Sequence, residues 1–289
     1  SNVSCFKKNI TIFGSTNSRK FLSDNYENLK SKKKFLQSAN KEYVKSFLKH
    51  PLCEKTDILE IHNRPNYIKQ IKETYKNKIF LYFHNDPLEM SGSKKISDRI
   101  YLIDNLDKII FNSNWSKSRF IKNLSKNYSS SNKLKIIKQS INEKKINLKR
   151  KKKIIIFVGK LNSAKGYDIF GNAVLPILDK HKDWSAIVIG DEPREKIFFN
   201  HPRLKNLGFQ NHKNVLKNLE KASIAIACSR WNEPFGRTSL EAASRGCGVI
   251  ISDRGGLKET ITDGIIIKKI TPKNFYININ KLIINKRLL

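Results

Sequence analysis

A set of short apolar runs, spaced so that a helix fits between one and the next, constrains this chain more than any other feature. The runs are Thr56–Ile61, Ile79–Phe83, Lys108–Phe111, Ile154–Val158, Ala186–Gly190, Ile224–Cys228 and Gly248–Ser252. They are short, rich in Ile and Val, and closed by Gly, Asn, Ser or Pro, as strands buried on both faces are. Between them lie helical stretches such as Asn66–Tyr75, Ile96–Leu106, Asn114–Leu124 (capped by Ser113) and Val215–Lys221. Strand–helix alternation of this kind argues an α/β chain built on parallel, doubly wound sheets. Ligands of such sheets bind beyond the carboxyl ends of the strands. Residues that follow the runs are therefore the candidates for chemistry.

At 289 residues there is material for about two domains, each able to bury its own core. The one credible linker is the charged, aperiodic run Ser140–Lys153, which predicts an amino-terminal domain over 1–148 and a carboxyl-terminal one over 149–289. Before it, a strand is expected near Asn9–Phe13, then a turn at Gly14–Asn17 and a lysine-rich helix from about Asn28 to His50. The four cysteines, Cys5, Cys53, Cys228 and Cys247, lack the spacing of a zinc site or a disulfide framework and read as reduced thiols. No apolar run reaches the ~18 residues that would span a bilayer, and no signal peptide is visible. The expected location is the cytoplasm.

A formal net charge of +32 suits nucleic acid, an anionic membrane or anionic small molecules. The lysines are spread along the whole chain, with tight clusters only at Lys32–Lys34 and Arg150–Lys153, and no RNP-like aromatic motif or zinc-finger spacing accompanies them. Nucleic acid is therefore not the expected partner. Peripheral contact with the inner face of an anionic membrane is a better use of the charge.

The densest signal is Trp231–Gly256, WNEPFGRTSLEAASRGCGVIISDRGG. A turn at Asn232–Gly236 leads into a helix from Thr238 to about Arg245, with Gly246 placed to close it, then the strand at Gly248 and an exit turn at Gly255-Gly256. The helix start offers unpaired amides and the positive end of a dipole, which can hold phosphate. Read by themselves, Thr238 and Glu241 also make a T-x-x-E capping box, and Glu233 could be a solvated loop acid. Upstream, the strand at Ile154 ends in Gly159-Lys160-Leu161 and then Lys165-Gly166, a lysine pair between a strand end and a helix start, suited to a pyrophosphate. In the first half, His62 and His84 each follow a strand and precede a polar turn ending in Pro. Asp86 reads either as a cleft acid or as an Asx-turn former.

Glu233-x7-Glu241 within EPFGRTSLEAASRG resembles the signature of the retaining GT-B glycosyltransferases of family 4, the group 1 glycosyl transferases. Gly159-Lys160-Leu161 with Lys165-Gly166 is similar to that family's G-[RK]-L…K-G element, with Lys160 where Arg is common. Gly255-Gly256-x-x-Glu259 resembles its G-G-x-x-E segment, and the order of these pieces matches from about Lys152 to Ile261. The resemblance implies two Rossmann-like domains facing across a cleft. It lacks the family's amino-terminal strand with its glycine-rich loop and the carboxyl-terminal helix, so the expectation is a partial chain that is not fully active alone.

The resemblance also implies roles. The activity would be transfer of a hexose from a nucleoside-diphosphate sugar to a glycan or lipid-linked acceptor of the lipopolysaccharide type, with retention of anomeric configuration. Glu241 would hold the ribose hydroxyls and Glu233 those of the donor sugar. Lys160 and Lys165 would neutralise the departing diphosphate, helped by backbone amides over Phe235, Gly236, Thr238 and Ser239. Asp191 would lie near base and ribose, and backbone near Phe209 and Gln210 would read the nucleobase. His84 would face the acceptor, with His62 and Arg64 as weaker candidates. No cofactor and no metal is implied, since no D-x-D motif follows a strand and the lysines carry the charge. The competing expectations are a non-catalytic or fragmentary sugar-nucleotide or glycan binder and, less favoured, a basic nucleic-acid binder.

Overall fold

The computed structural model describes residues 9–17, 24–29, 38–141 and 145–285. Cys5, the Lys32–Lys34 cluster and the part of the expected lysine-rich helix over 30–37 lie outside them. The chain groups into two units, Ser1–Ile110 with Phe120–Lys135, and Phe111–Arg119 with Ile136–Leu289.

The first unit holds strands β1 (Ile12–Gly14) and β2 (Tyr26–Asn28), which pair in parallel. Asn28, where the lysine-rich helix is expected to start, lies instead in the β1 ladder opposite Gly14, and α1 runs from Ala39 to Leu48. Its Val44 and Phe47 are buried while Lys41, Lys45 and Lys49 face out, which is the amphipathic division a surface helix needs. After the short α2 (Pro51–Glu54) come β3 (Ile58–His62), α3 (Ile68–Lys72), β4 (Lys78–Phe83), α4 (Ile96–Asn105) and β5 (Lys108–Phe111). Then follow α5 (Asn114–Ile121), α6 (Lys126–Ser129) and β6 (Leu134–Ile136). The sheet order is β3-β4-β5-β6, with β3 and β4 parallel and His62 opposite Tyr82. Ile79, Leu81, Phe83, Ile109 and Phe120 are essentially fully buried.

The second unit is a six-stranded sheet of β7 (Lys152–Val158), β8 (Ser185–Ile189), β9 (Leu204–Asn206), β10 (Ala222–Ala227), β11 (Gly248–Ser252) and β12 (Ile265–Ile267). Its order is β12-β11-β10-β7-β8-β9, and every pairing is parallel. The chain winds outward from β7 in one direction through β8 and β9, then in the other through β10, β11 and β12. The direction reverses between β7 and β10, and that switch point is where a doubly wound sheet opens a crevice. The helices are α7 (Tyr167–Lys180), α8 (His212–Lys221), α9 (Arg237–Ser244) and α10 (Pro272–Ile284). One core layer gathers Phe157, Tyr167, Phe170, Trp184, Phe275 and Ile279; another gathers Ile156, Val215, Leu219, Ala242, Val249 and Ile251. At about 1.5–3 kcal/mol for each large apolar side chain, these layers supply the main folding drive.

The charged run before β7 is not a free tether. A Cβ on Gly246 would meet Leu148 at 3.0 Å and Ile146 at 3.1 Å, so these two apolar residues of that run lie against the end of α9. The Lys151 ammonium donates to the carbonyls of Leu219 at 3.0 Å and Ala222 at 2.6 Å, closing the carboxyl end of α8. The expected border at residue 148 thus lies inside a segment that packs with the second unit.

The segment 111–119 is pinned to the same unit by one acid. Glu259 accepts from the Asn114 amide at 2.9 Å, the Asn114 side chain at 2.8 Å and the Trp115 amide at 2.9 Å, with Lys138 at 3.5 Å. A carboxylate here meets the positive end of α5. Burial pushes the Glu259 carboxyl up, but the Asn114 and Trp115 amides and the Lys138 charge bring it below its ordinary value. A depressed folded value means that the stabilisation is complete above the unfolded pKa and is lost as pH falls through the folded one. Glu259→Gln is expected to lower stability by about 2 kcal/mol at neutral pH. Urea titrations should show that difference shrinking as the solution is acidified through the carboxylate range; a constant difference would contradict the assignment.

Candidate functional site

In the second unit, the loops after β7 and β10 meet at the switch point. Asn162 shapes the first: its Oδ1 accepts from the Lys165 amide at 2.9 Å, and its carbonyl accepts from Tyr167 at 3.1 Å. Gly166 then enters α7 in the left-handed region, φ 73°. The second loop is laced to the first, since the amides of Arg230 and Trp231 both donate to the Ala164 carbonyl, at 2.9 and 3.1 Å. Arg230 also makes a bidentate pair with Asp168, both contacts at 2.6 Å. This is a stiff frame rather than a pair of loose turns.

The frame brings together Lys165 and Glu233, two of the residues singled out by sequence. Lys165 Nζ donates to Glu233 Oε1 at 2.5 Å and lies 4.7 Å from the centre of the Trp231 ring. Both side chains are mostly shielded, Lys165 at 27% exposure and Glu233 at 14%, so Glu233 is not a solvated loop acid. The Gly255-Gly256 turn supports Glu233 from behind. Gly256 donates its amide to the Glu233 carbonyl at 2.6 Å, and a Cβ on Gly255 would stand 2.2 Å from that same oxygen. Ser113 Oγ, fully buried, donates to the Pro234 carbonyl at 2.5 Å and accepts from Ser116 at 2.9 Å, the cap of α5 foreseen from sequence.

Gly236 precedes α9 with φ 96°, and the helix starts at Arg237, one residue before the expected position. That shift removes the capping box. Thr238 sits inside the first turn, no side chain caps the helix, and Glu241 is turned elsewhere. Its Oε1 accepts from Arg237 Nε at 2.8 Å and from His212 Nε2 at 2.9 Å. The Ser239 hydroxyl is also committed, bonding the Gly236 carbonyl and Thr260 Oγ1, both at 2.7 Å, in the interior. Any role for Ser239 in binding falls to its backbone. Phe235 is buried, whereas Thr238 is half-buried. The first-turn amides of α9 have no intrahelical acceptor, as at any helix start, and carry the positive dipole end.

Lys160 and Asp191 are exposed at the ends of β7 and β8. Their loops touch, since the Leu161 amide donates to the Asp191 carbonyl at 3.4 Å and a Cβ on Gly190 would stand 1.8 Å from the Gly159 carbonyl. Phe209 follows the Gly208 turn and is 76% exposed. All the candidates of this half therefore stand at the carboxyl edge of one sheet. Among the described residues, no group of three or more His, Cys, Asp or Glu is placed to hold a metal ion.

In the first unit, His62 and His84 form a pair. His62 Nδ1 lies 2.9 Å from His84 Nε2, one ring donating and the other accepting, with the rings stacked at 5.2 Å. His62 also stacks on Tyr82 and lies 3.6 Å from Glu60. Asn63 sets the distance between the two loops: in the left-handed region itself, φ 55°, it accepts from the His84 amide at 2.8 Å through Oδ1. Burial and then the neighbouring His62 hold the His84 imidazole below its ordinary pKa, so the ring favours its neutral form. Arg64 turns back onto the Asn63 carbonyl. Asp86 is buried with Oδ1 accepting from Leu88, the turn-forming role rather than that of a free acid. A hollow of about 500 Å³ near Asp57, Lys78 and Asp107 lies at the amino ends of β3 and β4, the edge where such sheets do not bind ligands.

Three residues escaped the sequence reading. His212, Arg237 and Trp231 each touch a singled-out acid or lysine. Arg237 carried a weak signal, standing four residues before Glu241. His212 carried none beyond its place at a helix start after Asn211.

Two units built on parallel sheets with helices between the strands, the second in the order 3-2-1-4-5-6, are the architecture of the GT-B class, and solved structures share it. The structure of Anabaena Alr3699/HepE in complex with UDP and glucose superimposes with a TM-score of 0.69 at 16% identity, covering 91% of this chain and 77% of that one. Residues 138–288, just over half the chain, match the sequence model described as glycosyl transferases group 1. The chain belongs to that family. Among its relatives, spore coat protein SA of Bacillus subtilis is 27% identical over 270 residues, 78% of this chain and 69% of that protein. The lipopolysaccharide core biosynthesis mannosyltransferase LpsB of Rhizobium meliloti is 29% identical over 132 residues, 42% of this chain and 37% of its own length.

Proposed function

We propose that this chain is a retaining hexosyltransferase. It would take a sugar from a nucleoside diphosphate and pass it to a glycan or lipid-linked acceptor of the lipopolysaccharide or cell-surface type. The observation that carries the reading is the Lys165–Glu233 pair at the switch point, held against Trp231 beside the start of α9. A shielded ammonium next to a helix start suits a diphosphate, and its carboxylate partner suits sugar hydroxyls.

In the proposed reaction Lys165, Lys160 and the first-turn amides of α9 stabilise charge growing on the leaving diphosphate. Asp191 and the backbone at Phe209 border the base and ribose, and Glu241 accepts from the ribose hydroxyls. Glu233 and Glu241 are both engaged by cations or a histidine, which supports binding roles over the two-carboxylate scheme of glycosidases. Substitution on the face the donor leaves, with the departing phosphate taking the acceptor's proton, then retains configuration. His84, kept neutral, orients the acceptor hydroxyl. No metal is assigned, since the lysines supply the positive charge. Among the described residues no helix is long and apolar enough to cross a membrane, and the net charge of +32 supports peripheral contact with an anionic inner leaflet.

The test is thermal stabilisation by UDP, GDP and ADP and their common sugar conjugates. A ligand specific for the folded state, at a hundred times its Kd, adds about 2.7 kcal/mol. One base is expected to stabilise the protein and Glu241→Ala to abolish the shift. No response to any of them, in a folded sample, would remove the donor-site reading.

A further inference from the structure

We propose that His212 is a positioning residue for the donor: with Arg237 it fixes the Glu241 carboxylate so that one oxygen alone is presented to the ribose hydroxyls. The inference rests on the reading of Glu241 as the ribose acceptor and adds the device that sets its geometry.

Both contacts fall on the same atom. His212 Nε2 donates to Glu241 Oε1 at 2.9 Å and Arg237 Nε to that oxygen at 2.8 Å. Among the described residues none donates to Oε2. Yet the Glu241 side chain is only 7% exposed. Oε2 is not among the buried side-chain atoms left without a partner, so it is not sealed in and stays within reach of an arriving group. A pair of hydroxyls arriving at Oε2 would complete the set that two donors have begun at Oε1. Because both bonds fall on one oxygen, turning the carboxylate plane part-way draws Oε1 off both donors at once.

The donors differ in how they are held. Arg237 is in the same helix, four residues before Glu241, an ordinary spacing for a surface pair. His212 comes from another element and is built into it. Asn211 caps α8 by accepting from Asn214 at 2.9 Å, and the Asn214 side chain donates to Gln210 at 3.2 Å. His212 is therefore presented from a stiffened helix start directly after the Gly208–Gln210 turn. Its own side chain is 58% exposed, so it adds little to the core. A carboxylate oxygen can only accept, so Nε2 is the donor of this bond.

The test compares UDP, GDP and ADP with their 2′-deoxy and 3′-deoxy counterparts, by calorimetric binding to the full chain, in wild type, His212→Ala and His212→Gln. Hydrogen bonds to a charged group predict that the wild type prefers one ribonucleotide over its deoxy forms by roughly tenfold or more. In His212→Ala that preference is expected to contract to within about threefold, and His212→Gln, which keeps an N–H donor, to recover part of it. A role confined to stability would lower affinity for ribo and deoxy forms alike and leave the ratio unchanged. An unchanged ratio in folded His212→Ala would overturn the inference while leaving the donor site standing. Binding without any ribose preference in wild type would do the same. Failure of the wild type to bind every ribonucleotide would remove the donor site and the inference together.

Discussion

Lys165→Ala is expected to slow sugar transfer by a factor on the order of 10²–10³ at saturating donor, the usual loss when one pre-aimed donor to a developing anion is removed. Three contacts support so large an effect for a single lysine in a chain with many. Its ammonium is ion-paired to Glu233 at 2.5 Å and stands over the Trp231 ring at 4.7 Å. Its backbone is fixed by the Asn162 turn. Most lysines here are solvated surface charges, which water and salt screen within about 8–10 Å. Lys165 is shielded, so its field acts at higher strength on a phosphate beside it. Removal also leaves Glu233 without its cation next to an incoming diphosphate, adding repulsion to the lost attraction. Both kcat and kcat/KM should therefore fall, whereas Lys160→Ala, at an exposed position, should change kcat by much less. A Lys165→Ala rate within threefold of wild type, measured by release of nucleoside diphosphate, would sink the assignment.

The contrast between the two lysines shows how far sequence could reach. The residue pattern after β7 located both, because the end of a buried strand followed by a helix start is a local property. What distinguishes them is the loop after β10, with Glu233 68 residues beyond Lys165, which brings Trp231 and Glu233 to Lys165. The same holds for the fold. β5 and β11 lie where their apolar runs said, at Lys108–Phe111 and Gly248–Ser252, since burial on both faces writes itself directly into composition. Residues 26–28 did not announce themselves as a strand, because three polar or aromatic residues pair only when β1 is alongside.

Helix α9 shows a local rule losing to its context. T-x-x-E would place the cap at Thr238, but Gly236 turns the chain with φ 96°, a conformation open to Gly at little cost, and the helix starts a residue early. Glu241 then accepts from the side chains of His212 and Arg237 rather than from a backbone amide of its own helix start. Signature spacing survived this, since Glu233 and Glu241 are still the acids at the loop and in the helix. The partners that tune them, from α8 and from Trp231, lie too far along the chain for periodicity to reveal.

Gly166→Ala is expected to cost on the order of 3 kcal/mol, and more if the loop cannot move, as the sum of backbone strain and overpacking. Gly166 has φ 73°, where a side chain is strained whatever the space, and a Cβ there would stand 2.0 Å from the Cys228 carbonyl oxygen. That atom is backbone at the end of β10, beside a fully buried thiol whose Sγ donates to the Gly166 carbonyl at 3.0 Å. Neither side can yield cheaply. The loop after β7 must move off the loop after β10, and with it the amides of Arg230 and Trp231 lose the Ala164 carbonyl. Stability and donor binding should thus fall together, because the close approach that sets the switch-point crevice is also what holds Lys165 against Glu233. Gly208→Ala is the matched comparison: φ there is 61° but nothing stands within 4 Å of the added Cβ, so only the strain remains, about 1 kcal/mol. Urea titrations of the two variants separate the terms. Equal losses would mean that the contact with Cys228 is soft, and the difference expected is about 2 kcal/mol in favour of Gly208→Ala.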